Sequence, residues 1–226
     1  MLSVIIPTLD AAESLPRTLY ALIPAVISGL IKDVCIVDGG SKDATVEVAD
    51  AAGCNLYYSA PGRGRQLALG AKAARADWFL FLHADTVLSP GWEQEVAHFT
   101  EQKDSGDFAG VFRFSLDDFR PAARRLETMV ALRCKLLALP YGDQGLLIHR
   151  KLYEALGGYD SLPLMEDVEF IRRIGRKRLI YLQAAAQTSA KRYQTDGYWL
   201  RPLRNLFCLS LYFLRFPPAL IARLYG

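Results

Sequence analysis

A run of five apolar residues, 78–82, is the feature that most constrains how this chain folds. The run is too short for a typical helix, and the acidic residue Asp77 comes directly before it. Unbroken apolar runs of this length are typical of parallel strands that are buried on both faces. Such strands end at the sheet edge where open α/β proteins bind their ligands. The polar residues that follow, His83, Asp85 and Thr86, are therefore the first candidates for a functional site.

The residues before this run alternate between short apolar stretches and helical patterns. The patterns predict strands at 3–7, 34–37 and 55–58, and helices at 10–26, 41–53 and 66–75. Regular alternation of β and α elements predicts a doubly wound, mostly parallel sheet flanked by helices. Asp10 and Glu13 have the spacing of a capping box, which favours a helix that begins there.

After residue 85 the alternation becomes less regular. We expect strands at 107–116, 146–148 and 179–182, and helices at 89–99, 121–139 and 166–174. No linker composition separates the two parts of the chain, so we expect one domain over residues 1–195 with halves at 1–88 and 89–195.

The segment 199–225 is unusually apolar. Residues 206–214 are nearly all apolar, and Arg204 and Arg215 flank them. The stretch is far shorter than the ~20 residues that span a bilayer. We expect residues 196–226 to form an apolar helical extension. It packs on the sheet or on a second copy of the chain, or it lies in the plane of a membrane with its arginines at the headgroups.

Charge and cysteine usage narrow the class of protein. The net charge of +3 over 226 residues is too small to indicate a nucleic-acid partner. The four cysteines lack metal-ligand or redox spacing, which favours reduced thiols in the cytoplasm. The first residues lack the basic region of a signal peptide, so we expect no cleaved leader.

Two segments in the first half have residue types that suit a phosphate-containing ligand. Asp38 and Gly39 end the second predicted strand, where glycine lets backbone approach a ligand closely. Arg63 and Arg65 lie in a glycine-containing segment that we expect to be a flexible loop before a helix. Guanidinium groups and helix N-termini both favour phosphate. Both segments also have explanations that involve no ligand. Asp38 and Gly39 could simply form a strand-to-helix turn, and Arg63 and Arg65 could lie in a solvated basic loop.

Two adjacent carboxylates, Glu166 and Asp167, open a predicted helix in the second half. Acidic residues at a helix start also complement the helix dipole, so this pattern alone leaves two explanations. A functional explanation is that one carboxylate takes a proton from an acceptor hydroxyl. Asp143 and Gln144, in a glycine-flanked loop, are candidates to hold that acceptor.

Four segments together resemble the family 2 glycosyltransferases of GT-A fold. They are residues 3–8, 37–41, 83–86 and 166–167, in the order found in that family. Residues 63–70 and 81–86 are similar to a small bacterial subgroup of the family. The resemblance covers about residues 2–190 and implies a GT-A type fold, a Rossmann-like and mostly parallel sheet flanked by helices.

The resemblance implies inverting transfer of a sugar from a nucleotide-diphospho-sugar, with a uridine nucleotide expected, to an acceptor hydroxyl. Residues 1–88 are implied to bind the nucleotide and residues 89–195 the acceptor. Asp85 is implied to hold Mg²⁺ or Mn²⁺, with His83 as a weak second ligand. The implied catalytic base is Asp167, with Glu166 beside it. The implied nucleotide-binding residues are Pro7, Thr8, Asp38, Gly39, Arg63 and Arg65.

The chain departs from the family pattern at several positions. His83 stands where the family's D-x-D motif has its first aspartate, so metal binding is expected to depend more on the nucleotide. Ala68 replaces an asparagine that is usual in the similar subgroup. The Q-x-x-R-W motif of processive relatives is absent, which argues against a polymerising synthase.

Two other functions compete with this assignment. A nucleotidyltransferase would need a glycine- and lysine-rich triphosphate loop after the first strand, where this chain has residues 8–12 without glycine or lysine. A relative that binds sugar nucleotides without turnover would explain His83, but not the pair Glu166 and Asp167. The expected location is the cytoplasm, with peripheral contact at the inner face of the cell membrane through residues 199–225. A lipid-linked acceptor would suit that location.

Overall fold

The computed structural model describes residues 1–162 and 164–225. Within these residues one mixed sheet has the strand order β3-β2-β1-β4-β7-β6-β8-β5. Its strands are β1 (Leu2–Thr8), β2 (Ile31–Asp38), β3 (Asn55–Tyr58), β4 (Trp78–Phe81), β5 (Thr86–Leu88), β6 (Ala109–Leu116), β7 (Leu146–His149) and β8 (Leu179–Thr188). Pairings β1–β2, β1–β4, β2–β3 and β6–β8 are parallel, and the other three are antiparallel. The predicted α/β class with a mostly parallel sheet is confirmed.

Helices cover both faces of the sheet. They are α1 (Leu15–Tyr20), α2 (Ile23–Ile27), α3 (Thr45–Ala51), α4 (Arg63–Ala73), α5 (Trp92–Glu101), α6 (Pro121–Leu137), α7 (Arg150–Ala155), α8 (Glu166–Ile174), α9 (Lys191–Asp196), α10 (Leu200–Phe213) and α11 (Pro218–Tyr225). Side chains of β1 alternate between two apolar cores. Ile5 packs with α4 and α8, whereas Val4 and Ile6 pack with α1 and α5.

The register of the central strands aligns their carboxyl ends. Thr8 at the end of β1 pairs with Asp38 at the end of β2, and Ile5 pairs with Phe81 of β4. Every residue of β4 is buried, as the apolar run predicts. The polar residues that follow these strands consequently meet at one edge of the sheet.

The first predicted helix is wrong in extent. Asp10 has a left-handed backbone (φ +49°), and its carboxylate accepts a hydrogen bond from Lys42 N at 2.7 Å, so it does not cap a helix. Helix α1 begins at Leu15, and a second helix begins at Ile23 with Pro24 in its first turn. Proline lacks the N–H that a continuous helix needs, which explains the break between α1 and α2.

The second half contains elements that the sequence patterns miss. The three-residue strand β5, the six-residue helix α7 and most of the ten-residue β8 were absent from the predictions. The C-terminal extension is helical, as expected, and it packs on the domain through buried Cys208, Leu209 and Ile221. The four cysteines are free thiols. In the described part of the chain, no helix has the length and apolar character needed to cross a bilayer.

Candidate active site

The loop after β2 is held by the carboxylate of Asp38, which is 2% exposed. Asp38 Oδ2 accepts hydrogen bonds from Gly40 N at 2.8 Å and Ser41 N at 2.9 Å, and Oδ1 accepts one from Thr8 Oγ1 at 3.1 Å. Burial alone would raise the pKa of this carboxyl, but the hydrogen bonds from Ser41, Gly40 and Thr8 together lower it. Thr8 is buried as well. Asp38 and Thr8 therefore fix the conformation of this loop through buried hydrogen bonds.

Gln66 completes this loop, and the sequence patterns gave it no role. Its Nε2 donates to Thr8 O at 2.8 Å and to Val37 O at 2.7 Å, which ties the ends of β1 and β2 to helix α4. A Cβ on Gly39 would lie only 3.1 Å from that Gln66 nitrogen and 3.3 Å from Thr8 O. Gly39 thus permits a close approach between its backbone and the Gln66 side chain, and the ligand contact expected of Gly39 stays a prediction. Pro7 is part-buried in β1.

Arg63 and Arg65 lie in the first turns of α4, so the expected flexible loop is wrong. Gly62, with φ +143°, precedes the helix, and Gln66 N donates to Gly62 O at 3.1 Å in its first turn. A Cβ on Gly64 would come within 2.1 Å of Asp160 O, so glycine allows α4 to pack directly against the chain before α8. Arg65 is exposed.

The first turn of α8 presents Glu166 and Asp167. Met165, just before them, has a left-handed backbone (φ +67°), a conformation that is strained for a residue with a side chain. Glu166 is 2% exposed, and its Oε1 lies 3.2 Å from the Arg63 guanidinium. Burial raises the pKa of Glu166, although the Arg63 charge opposes the rise. This ion pair joins helix α4 to the start of α8.

Asp167 and His83 meet at the loop between α6 and β7. Asp167 Oδ2 accepts a hydrogen bond from Gly142 N at 2.8 Å. A Cβ on Gly142 would lie 2.7 Å from His83 Nε2 and 3.4 Å from Asp167 Oδ2. The imidazole after β4 and the carboxylate at the start of α8 therefore flank the same glycine. The structure brings these distant residues together, and it adds Gly142, which the sequence patterns did not assign.

Asp143, in the same loop, is the most perturbed carboxyl of the site. Its pKa rises to about 6 because the side chain is buried, and the carboxylates of Asp167 and Asp85 add to the rise while Arg133 opposes it. Its Oδ1 is shielded from solvent and has no hydrogen-bond partner among the described residues. The charges of Asp85 and Asp167 therefore both act on Asp143.

Gln144 does not point to an acceptor. It is 2% exposed, its Nε2 donates to Phe112 O at 3.1 Å, and Cys134 Sγ lies 3.2 Å from its Oε1. These contacts place the side chain in the core below the loop, so the expected acceptor contact is replaced by a structural one. Asp143 is left as the acceptor-side candidate of the pair.

Asp85 is part-exposed and borders an open cleft of about 210 Å³. Within the described ranges, no three His, Cys, Asp or Glu side chains are arranged to hold a metal ion on their own. A single open carboxylate fits Mg²⁺ or Mn²⁺ only where other oxygen ligands are supplied, as phosphates supply them. An oxygen without a hydrogen-bond partner among the described residues, Asp143 Oδ1, belongs to a carboxyl whose pKa the charge of Asp85 raises.

Comparison with known proteins gives this geometry a family. The sequence profile described as "Glycosyl transferase family 2" matches residues 3–159, which is well over half of the chain. The chain belongs to glycosyl transferase family 2. The matched range covers the loops after β1, β2 and β4, together with the loop that contains Gly142 and Asp143.

Curated relatives in this family cover only part of the chain. "PGL/p-HBAD biosynthesis glycosyltransferase" of Mycobacterium bovis and a protein of the same name from Mycobacterium tuberculosis are each 34% identical to it. The match spans 39% of this chain and 36% of either relative. The chain thus matches about a third of the length of these relatives.

Solved structures agree with the fold. S. aureus TarS 1-349 superposes with a TM-score of 0.65 at 15% identity, covering 99% of this chain and 69% of TarS. Glucosyl-3-phosphoglycerate synthase from Mycobacterium tuberculosis, in complex with Mn²⁺, UDP and glucosyl-3-phosphoglycerate, gives 0.59 at 18% identity over 84% and 70%. At these identities the likeness establishes the GT-A type fold, as the sequence resemblance implied.

Proposed function

We propose that this family 2 member transfers a sugar from a UDP-linked donor to an acceptor hydroxyl with inversion. The observation that carries the proposal is the approach of His83, which follows β4, and Asp167, which opens α8, to Gly142, the neighbour of Asp143. A carboxyl whose pKa is raised by desolvation and by neighbouring carboxylates is typical of a catalytic site. Family membership and the UDP complex of a structural neighbour support the donor class.

Residues 1–88 would bind the nucleotide. Backbone groups of the loops shaped by Thr8, Asp38 and Gly39 would contact the base and ribose, with Pro7 forming one wall. This assignment changes the expected role of Asp38, because its carboxylate is already saturated by the loop. Arg63 and the exposed Arg65 would face the diphosphate, where guanidinium groups neutralise charge well.

A divalent cation, Mg²⁺ or Mn²⁺, would be held by Asp85 together with the donor diphosphate. The single open carboxylate of Asp85 fits a site shared with phosphate oxygens. It does not fit a site formed by protein alone, because no group of three ligand side chains lies together among the described residues. His83 would contribute a weak contact at most, because its Nε2 faces Gly142. When bound, the cation would stabilise negative charge on the leaving diphosphate.

Asp167 is the proposed catalytic base. Its Oδ2 is oriented by the Gly142 N–H, and its other oxygen accepts from Val168 N at 2.7 Å. As the acceptor oxygen bonds to the anomeric carbon, its proton passes to Asp167 and the bond to the diphosphate breaks. The electron pair leaves with the nucleotide, and the single displacement inverts the sugar carbon. Glu166 would act through Arg63 as a positioning residue.

Residues 89–195 would bind the acceptor, with Asp143 at its hydroxyl. The region 196–226 would hold the enzyme at a surface, which agrees with a cytoplasmic protein that contacts the inner face of the cell membrane. These assignments follow the division of the chain into residues 1–88 for the nucleotide and 89–195 for the acceptor. They would be supported if all substitutions that weaken nucleotide binding fell within residues 1–88.

Donor hydrolysis tests the proposal most directly. Purified protein would be incubated with UDP- and GDP-sugars and Mn²⁺, and nucleotide release would be followed alongside a thermal-shift screen of the same ligands. We expect UDP to stabilise the chain and one UDP-sugar to release UDP. Binding without release would favour the inactive relative that His83 suggests, whereas absence of UDP binding would contradict the donor assignment.

A further inference from the structure

An apolar groove of about 430 Å³ runs between α6 and α10. This volume is within the range of small-molecule sites. Leu126 and Val130 of α6 are buried in it, whereas Trp199, just before α10, and Leu203 of α10 remain mostly exposed along its edge. Residues that line the groove occur on α6 from position 122 to 137, a distance of about 22 Å along a helix.

The groove reaches the candidate active site. Beyond the C-terminal end of α6 the groove is lined by Tyr141 and Asp143. Gly142, which lies between them, donates a hydrogen bond from its N–H to Asp167. The Arg133 guanidinium lies 3.5 Å from the centre of the Tyr141 ring and closes this part of the wall. A ligand that fills the groove would therefore have one end beside Asp143.

The surface around the groove is both apolar and basic. Residues 200–225 contain four arginines, of which Arg201 is buried, and no acidic residue. Helix α6 contributes three more arginines and Lys135 against a single glutamate, Glu127. Large apolar side chains on α10 and α11, including Leu206, Phe207 and Leu220, are about half exposed. Exposed apolar area of this kind marks an interaction site, and basic residues at its border are typical of contact with an anionic bilayer.

We propose that the α6–α10 groove binds the hydrocarbon chain of an amphipathic acceptor, and that the hydroxyl-bearing head of this acceptor lies at Asp143 and Asp167. The inference rests on the proposed transferase function for the role of the head, but not for binding of the chain. An apolar chain suits the groove because its walls are mainly leucine, methionine and aromatic side chains.

A second copy of this chain is a poorer occupant. A symmetric dimer would place the same patch on both subunits. In such a dimer the arginines of residues 200–225 in one subunit would face the same arginines in the other, and this segment has no acidic residue to pair with them. Like charges across an interface are unfavourable. A bilayer surface supplies both the complementary charge and the lipid.

Trp199 gives a direct readout. The chain has three tryptophans, of which Trp78 and Trp92 are buried and Trp199 is 65% exposed at the groove. Full-length protein would be titrated with dodecyl maltoside, a single-chain amphiphile with a hydroxylated head, below its micelle-forming concentration. We expect a blue shift of Trp199 emission that saturates, that maltose alone does not produce, and that Trp199→Phe abolishes.

Two leucines of α10 provide a matched pair of variants. Leu203 lines the groove and is 59% exposed, whereas Leu200 is 71% exposed and does not line it. We expect Leu203→Gln to weaken dodecyl maltoside binding about tenfold, because an apolar contact with the chain is lost. Leu200→Gln should change it less than twofold. Thermal melting of both variants would verify that they fold.

Each outcome bears on the groove separately from the transferase assignment. Equal weakening by the two substitutions would mean general adsorption to the apolar surface and would overturn the groove as the site. A dimer that Leu203→Gln dissociates, with no response to the amphiphile, would make a second copy the occupant. Binding of dodecyl maltoside without any UDP binding would retain the groove and reject the donor proposal.

Discussion

Carboxylates at the two sides of the sheet edge are in opposite electrostatic conditions. Asp38, after β2, accepts hydrogen bonds from its own loop and from Thr8, and these lower its pKa. Asp143, after α6, has an oxygen without a partner among the described residues, and burial raises its pKa to about 6. Burial also raises the pKa of Glu166, although the charge of Arg63 opposes the rise.

This difference separates residues that build the site from residues available for chemistry. A saturated carboxylate stabilises the fold and has little capacity left for a ligand. A buried carboxylate with unused bonding capacity costs stability, and it persists where a substrate, cation or proton will use it. We therefore expect substitutions on the donor side to affect folding first, and substitutions near Asp167 to affect turnover first.

The largest effect is expected for Asp167→Asn. The amide keeps the shape of the side chain but cannot accept the proton, so turnover should fall roughly 10²-fold or more while UDP binding persists. Steady-state release of UDP and calorimetric titration would measure the two quantities. Glu154→Gln, at an exposed carboxylate of α7, is the control and should retain activity. Unchanged turnover in Asp167→Asn would remove this residue from the role of base.

Asp38→Ala should act on stability. Removing the carboxylate leaves the Gly40 and Ser41 N–H groups without their partner, at a cost of about 2 kcal/mol. For a chain of this size that corresponds to a Tm lower by roughly 4–8 °C. Asp50→Ala, at an exposed position of α3, should change Tm by less than a degree or two. If Asp38→Ala melts like the wild type but loses UDP binding, Asp38 contacts the nucleotide after all.

Asp85→Ala should weaken binding of UDP about tenfold in Mn²⁺ and have little effect in EDTA, because the proposed contact is made through the cation. Paired calorimetric titrations would measure this difference. An equal loss in both buffers would mean that Asp85 acts on the nucleotide or the fold without a metal.

The smallest effect is expected for Asp143→Asn, and it depends on pH. The carboxyl pKa is raised from 3.8 to about 6, so between these values the folded chain binds more protons than the unfolded chain. Stability consequently falls as pH rises through this window, and the full cost is present above it. A shift of this size corresponds to at most about 3 kcal/mol above the window, and solvent screening of the part-exposed side chain reduces this to about 1 kcal/mol. The neutral amide should therefore raise Tm by roughly 2–4 °C at pH 7.5 and by nothing near pH 3.5. Melting curves in EDTA would test this, and a lower Tm at both pH values would contradict it.

The sequence predicted the central strands well because their burial on both faces leaves a clear pattern, as β4 demonstrates. It failed where the pattern was short or where tertiary contacts decided the outcome. Strand β5 has three residues and depends on pairing with β8, which no local signal encodes. Pro24 is a local sequence signal for the break after α1, but the apolar spacing of residues 15–26 favours one continuous helix.

The sequence patterns indicated which acidic residues belong to the candidate site, but only part of how these residues are arranged. Carboxylates that follow strands or open helices could be found from their positions, and the charges of Asp85 and Asp167 both act on Asp143. Buried partners could not be found in this way. Gln66 gives no pattern that separates it from a surface glutamine, and the burial of Gln144 depends on Phe112, which is distant in sequence.

The lack of space at Gly64 limits how this enzyme can change. Even one methyl group there would meet Asp160 O and Glu166 Cβ, so it would push helix α4 away from the chain that leads into α8. Arg63 and Asp167, which we propose to face the donor and the acceptor, would then shift together. Efforts to redesign the preference for one substrate through this junction should alter selectivity for the other as well. A library that aims to change only one of them should leave position 64 untouched.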